Sequence, residues 1–139
     1  LYRHKVRNRR EPLVRGFDDE FYAPHSRHTT VDAEEIRACS ELTILAESEE
    51  AGGFIAMAEE GRKVFVFGHP EYDRLTLEKE YLRDKNKGLD IQLPKDYFPE
   101  NDSRNRPLLM WRAHANTLYT NWINYYVYQL TPYVWEDEG

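Results

Sequence analysis

Val64-Phe65-Val66-Phe67-Gly68-His69-Pro70-Glu71 runs four apolar residues straight into a Gly-His-Pro-Glu stop. A continuous apolar run of this kind suits a strand buried on both faces, with a neighbour on each side. In open α/β sheets, ligands bind beyond the carboxyl ends of such strands. The run therefore predicts a central strand that delivers His69 and Glu71 to one cleft. Side chains two residues apart in extended chain leave on the same face. Pro70, with its fixed φ and no amide hydrogen, helps stop the ladder between them. Glu71 is placed to orient His69 and to steady its protonated form. His69 is then placed to act as the base for a nucleophile, which makes the pair the base–orienter half of a triad. The same tetrapeptide also reads as a plain strand-ending turn.

Working downstream, Asp73 to about Lys87 has helical spacing of Leu75, Leu77, Tyr81 and Leu82, with Gly88 at the C-terminal cap. Residues 89–109 are rich in Pro, Asp and Asn and read as a long surface connection. A last helix is expected from near Ala113 to Leu130, ending before Pro132. Its stripe of Leu118, Trp122, Tyr125 and Gln129 is assigned to the core. Upstream, Leu42–Glu47 and Phe54–Ala58 have strand character, and Gly52 and Gly53 lie in a hairpin turn between them. Thr30 or Asp32 caps a short helix through about Cys39. Residues 16–19 and 23–27 read as loop. Arg3, Lys5, Arg7, Arg9, Arg10 and Arg15 alternate along residues 1–15. That pattern fits extended chain with one basic side, either a solvated edge strand or a contact for phosphates. Strands alternating with helices predict an α/β fold. Few neighbours are available for the Val64–Phe67 strand, so the chain is expected to supply only part of one.

The 139 residues are about one domain's worth, and 40 % hydrophobic residues are enough for one modest core. A net charge of −6 argues against general nucleic-acid binding, which needs a basic face. No apolar run approaches the roughly 18 residues that span a bilayer. The single cysteine, Cys39, fits a reducing compartment, the cytoplasm. It has no glycine elbow or charged neighbour to lower its pKa and reads as a small core residue. His25 and His28 lack the further ligands a metal would need, so no metal is expected. A chain that opens on Leu1 rather than Met fits a processed protein or a piece of a longer one.

The stretch Phe67-Gly68-His69-Pro70-Glu71-Tyr72-Asp73 resembles the catalytic motif of homoserine O-acyltransferases. So do Arg15-Gly16-Phe17-Asp18-Asp19, Ala23-Pro24-His25-Ser26-Arg27 and Leu45-Ala46-Glu47. Trp111-Arg112-Ala113-His114-Ala115-Asn116 and the tail from Asn121 to Tyr133 are similar to that family nearly residue for residue. The resemblance implies a class I glutamine-amidotransferase-like (flavodoxin-like) sheet with flanking helices, of which residues 1–139 are the C-terminal half of a single domain. It implies a Cys-His-Glu triad in which a cysteine takes an acyl group from acyl-CoA and passes it to the hydroxyl of L-homoserine, for methionine synthesis. His69 is then the base and Glu71 its partner, while the cysteine and a substrate-binding lysine fall upstream of Leu1. Arg83 matches the family's substrate-binding arginine, and Ser26 matches a substrate contact. Glu80, three residues before Arg83 on one helical face, is placed to hold it or to meet the substrate ammonium. Without the resemblance, Arg83 and Glu80 read as a surface ion pair and Ser26 as a loop serine.

The resemblance implies acyl-CoA as co-substrate, no other cofactor, and a homodimer. The variant at residues 111–116 looks more like the acetyl-using members, so acetyl-CoA is favoured over succinyl-CoA. Two other readings remain open: an acyltransferase for another amino acid such as serine, and a non-catalytic fragment serving as a binding or structural module.

Overall fold

Five strands make one sheet: β1 (Tyr2–Val6), β2 (Glu20–Ala23), β3 (Thr43–Ser48), β4 (Gly52–Ala58) and β5 (Lys63–Val66). Their order across the sheet is β2-β1-β3-β4-β5, and each neighbouring pair is antiparallel. The structure is a computed structural model that describes residues 1–27 and 29–132. His28 and Tyr133, both quoted above, lie outside the described residues. Three main helices accompany the sheet: α1 (Ala33–Ala38), α2 (Thr76–Asn86) and α3 (Arg112–Trp122). The α3 axis carries on through a wider, π-type stretch at Ile123–Val127 and a final turn at Tyr128–Leu130.

The strand covered on both faces is β4, where residues 53–57 are all buried. It accepts β3 on one side and β5 on the other because Gly53 and Ala56 keep its surface low while Phe54, Ile55 and Met57 fill the core. Among the described residues β5 has a neighbour on one side, β4. It is the last strand among the described residues, its side chains alternate between exposed and half-buried, and Phe65 is 40 % exposed. Val64 and Val66 pack on the core while Phe65 faces out. Phe67 N–H donates to Phe54 O at 2.8 Å, so the ladder's alternation turns the amides of Val64 and Val66 away from β4. Among the described residues the run thus pairs on one side and packs Val64 and Val66 on the core.

β1 departs in the opposite sense. It lies inside the sheet between β2 and β3, where an edge strand was expected, and its His4 is fully buried. Its basic side is met by acids on neighbouring segments: Arg3 by Glu20 at 3.3 Å, Lys5 by Glu49 at 2.8 Å and Arg7 by Glu47 at 2.6 Å. These carboxylates come from β2, β3 and the β3–β4 turn. β2 has no forewarning in the sequence beyond the apolar Phe21 and Ala23, which it buries.

Asp32 caps α1, its side chain accepting from Glu34 N–H at 3.0 Å. Cys39 ends that helix in the open, which corrects its placement in the core. The long segment after α2 carries its own anchors: Tyr97 and Phe98 are buried with Leu1, Leu77 and Trp111 in a second apolar cluster. On the last helix, Ala115, Leu118, Asn121 and Tyr126 are buried, while Trp122 and Tyr125 of the expected stripe are exposed. Asn121 Nδ2 donates to Leu13 O at 3.0 Å and to Arg15 O at 2.7 Å, and Tyr126 Oη accepts from Leu13 N–H at 3.2 Å. These bonds tie the helix to the short turn Pro12–Val14 behind the sheet.

Candidate active site

Beyond β5 the chain turns sharply. Tyr72 N–H donates to His69 O at 3.1 Å, closing a four-residue turn with Pro70 in its second position, which its fixed φ suits. His69 and Glu71 therefore meet across a turn, not along an extended strand. His69 Nδ1 lies 2.9 Å from Glu71 Oε1. A carboxylate can only accept, so Nδ1 carries the hydrogen and Nε2 presents the lone pair. The pair is open to solvent, with side chains 36 % and 54 % exposed.

The turn is held from below. His69 N–H donates to Pro24 O at 2.8 Å. Arg27 Nη1 donates to Phe67 O at 2.8 Å, and its Nη2 donates to Ala51 O, joining the end of β5 to the β3–β4 hairpin. Gly68 has no room for a side chain: a Cβ there would stand 2.7 Å from the Phe54 ring, 2.9 Å from Pro24 O and 3.0 Å from His25 Nε2. Under this floor, His4 and His25 stack at 4.9 Å with their Nε2 atoms 2.8 Å apart. Burial, with the neighbouring positive charge of Arg27, pushes both imidazoles down to about 3, so the pair is neutral at ordinary pH. His25 is thus engaged with His4, and the described residues hold no cluster of metal-ligating side chains.

Ser26, Glu80 and Arg83 come together at a cleft of about 770 Å³, with Arg27, Tyr81 and Lys95 also on its walls. His69 and Glu71 are not among its lining residues. The expected Glu80–Arg83 bond is not made. Arg83 turns to its neighbour Asp84, with contacts of 2.6 and 3.0 Å, which lift its pKa. Glu80 Oε1 instead accepts from the Tyr72 hydroxyl at 2.9 Å, and Glu80 Oε2 is buried with no hydrogen-bond partner among the described residues. Burial first, and then the Glu80 carboxylate, push the Tyr72 phenol up to about 12. The Tyr72 ring lies on the His69 imidazole, centroids 4.4 Å apart and 15° from parallel. Trp111 Nε1 donates to the Tyr72 carbonyl at 2.8 Å. Tyr72, Arg27 and Trp111 were quoted in the sequence without a role. Only Tyr72's place beside Glu71 was a signal, and its link to Glu80 needs the tertiary fold.

Fold and site together define an α/β chain that carries a histidine bonded to a carboxylate on one turn, near a polar cleft of mixed charge. The family model for homoserine O-succinyltransferase matches residues 1–133, and the chain belongs to that family. It is 68 % identical over 133 residues to a homoserine O-acetyltransferase of Lachnoclostridium phytofermentans, covering 96 % of this chain and 44 % of the relative. A homoserine O-acetyltransferase of Agathobacter rectalis is 63 % identical over 133 residues, covering 96 % and 43 %. The corresponding enzyme of Lachnospira eligens is 57 % identical over the same shares. The chain spans less than half the length of these relatives. No helix among its described residues is long and apolar enough to cross a membrane.

Proposed function

We propose that residues 1–139 form the C-terminal half of a single acyltransferase domain of the class I glutamine-amidotransferase-like type, which moves an acyl group from acyl-CoA to the hydroxyl of L-homoserine. The observation that carries this reading is the 2.9 Å contact between His69 Nδ1 and Glu71 Oε1, in a member of this family. With Nδ1 bound to the carboxylate, Nε2 is the atom that takes a proton. The nucleophile is a cysteine thiol outside these residues. His69 Nε2 removes the thiol proton, the sulfur attacks the acyl carbonyl, and the CoA thiol leaves with a proton returned by His69. The homoserine hydroxyl then gives its proton to His69 and attacks the thioester, releasing the cysteine. Glu71 stabilises each imidazolium and fixes its tautomer.

The cleft suits a small zwitterion, because Arg83 and Glu80 line it with opposite charges for the carboxylate and the ammonium. Ser26 adds a hydroxyl. The names of the relatives favour acetyl over succinyl as the acyl group. The reaction belongs to methionine biosynthesis in the cytoplasm, carried out by a homodimer. In the full-length protein, His69→Ala should reduce acyl transfer to homoserine about 10²–10⁴-fold, and Glu71→Gln should cost less. Steady-state rates with acetyl-CoA, succinyl-CoA and L-serine as alternative substrates decide donor and acceptor. Undiminished activity in His69→Ala sinks the mechanism.

A further inference from the structure

His69 is held at one point in its own plane, by the bond from Nδ1 to Glu71. One such bond leaves an imidazole free to rock about the Nδ1–Oε1 line, and both partners are open to solvent. The ring that removes this freedom belongs to Tyr72. It lies flat on the imidazole at 4.4 Å and 15°. Tyr72 is itself fixed through its backbone, its N–H by His69 O at 3.1 Å and its carbonyl by the buried Trp111 at 2.8 Å, while its hydroxyl reaches on to Glu80 on α2 at 2.9 Å.

Resting on the acyl-transfer reading above, we propose that Tyr72 is a positioning residue with two separable parts: its ring sets the plane of the His69 base, and its hydroxyl holds the Glu80 carboxylate at the wall of the amino-acid cleft. The first part serves both half-reactions, because His69 moves a proton in each. The second serves only the half that uses homoserine. The hydroxyl occupies Glu80 Oε1 and leaves Oε2 as the acceptor with no hydrogen-bond partner among the described residues. Ser26, which also lines the cleft, is a second polar neighbour of the same hydroxyl. One side chain thereby ties the base to the substrate site, although His69 does not line that cleft.

Two variants of the full-length protein separate the parts. Tyr72→Phe keeps the stacked ring and deletes the hydroxyl. It should slow acyl-enzyme formation from acetyl-CoA far less than Tyr72→Leu does, while the KM for homoserine rises about ten-fold, the loss of one hydrogen bond to a charged group. Tyr72→Leu deletes the ring and should slow acyl-enzyme formation about 100-fold, as expected for a base no longer held in line. Equal loss of acylation in both variants, or wild-type acylation in Tyr72→Leu, overturns the proposal. The stack is also read without catalysis. NMR resonances of the His69 ring protons should keep their aromatic ring-current shift in Tyr72→Phe and lose it in Tyr72→Leu, and unchanged resonances in Tyr72→Leu overturn the ring's role. A wild-type protein that never takes up an acyl group would instead overturn the acyl-transfer reading, and the NMR comparison would then decide the positioning role by itself.

Discussion

Replacing Gly68 by alanine tests how tightly the His69–Tyr72 turn is seated. The new methyl would lie 2.7 Å from the Phe54 ring, about 0.7 Å inside the 3.4 Å at which ordinary contact begins. Phe54 cannot yield easily, because it is 2 % exposed and packed between His4, Phe21 and His25. On the other side the methyl meets the carbonyl of Pro24 at 2.9 Å, the same oxygen that accepts the His69 amide. The cheaper relief is for residues 68–69 to lift away from the sheet, stretching that 2.8 Å bond. Overpacking of this kind costs about 2 kcal/mol, and displacing a base by an ångström costs roughly 10² in rate. In the full-length protein, Gly68→Ala should lower the urea midpoint with an unchanged m-value and cut acyl-enzyme formation about 100-fold. Wild-type stability together with wild-type acylation would show that the turn is not seated as described.

Three further outcomes follow from the same contacts. The imidazoles of His4 and His25, pushed down to about 3 in the fold and near 6.5 when unfolded, leave the unfolded chain with more bound protons between those values. Stability is therefore full above about pH 6.5 and falls on acidification, by up to about 1.4 kcal/mol per pH unit for each histidine. His4→Phe should flatten that slope in guanidinium melts at pH 5 and 7.5, and an unaltered slope would show that the pair is not its source. Asn121→Leu strips the donors from Leu13 O and Arg15 O and should destabilise by about 2 kcal/mol, lowering the melting temperature by roughly 8 °C in a calorimetric scan. Arg83→Lys keeps the charge but loses the fork, so homoserine KM should rise while acyl-enzyme formation is spared. Lost acylation with normal homoserine dependence would remove Arg83 from the substrate site.

Local signals carried much of the architecture. The Ser48–Gly53 stretch placed the β3–β4 hairpin, although Gly52 and Gly53 belong to β4 itself; of Thr30 and Asp32 it is Asp32 that caps α1, and the spacing around Leu77 found α2. Pairings between strands distant in sequence were less legible. The Val64–Phe67 run cannot distinguish two packed faces from one, because Phe65 is apolar whether covered or exposed. The alternating cations of β1 look solvated until Glu20, Glu47 and Glu49 arrive from distant parts of the chain. At the site, adjacency in sequence sufficed for His69 and Glu71. Spacing misled for Glu80 and Arg83, since two residues on one helical face still chose different partners, Tyr72 and Asp84.

The bonds from Asn121 and Tyr126 to residues 13–15 span more than a hundred positions of chain. A ribosome finishes residues 13–15 long before the helix that satisfies them. Until then the Pro12–Val14 turn has no roof, and Leu13 and Val14, both buried in the finished fold, stay open to whatever the nascent chain meets. Docking of the helix on residues 13–15 in this way waits for chain made much later, and separations this long make for slow closure. A chain cut short before Ala115 would keep all five strands and lose the element that seals them, which makes such a truncation prone to aggregate rather than merely less active.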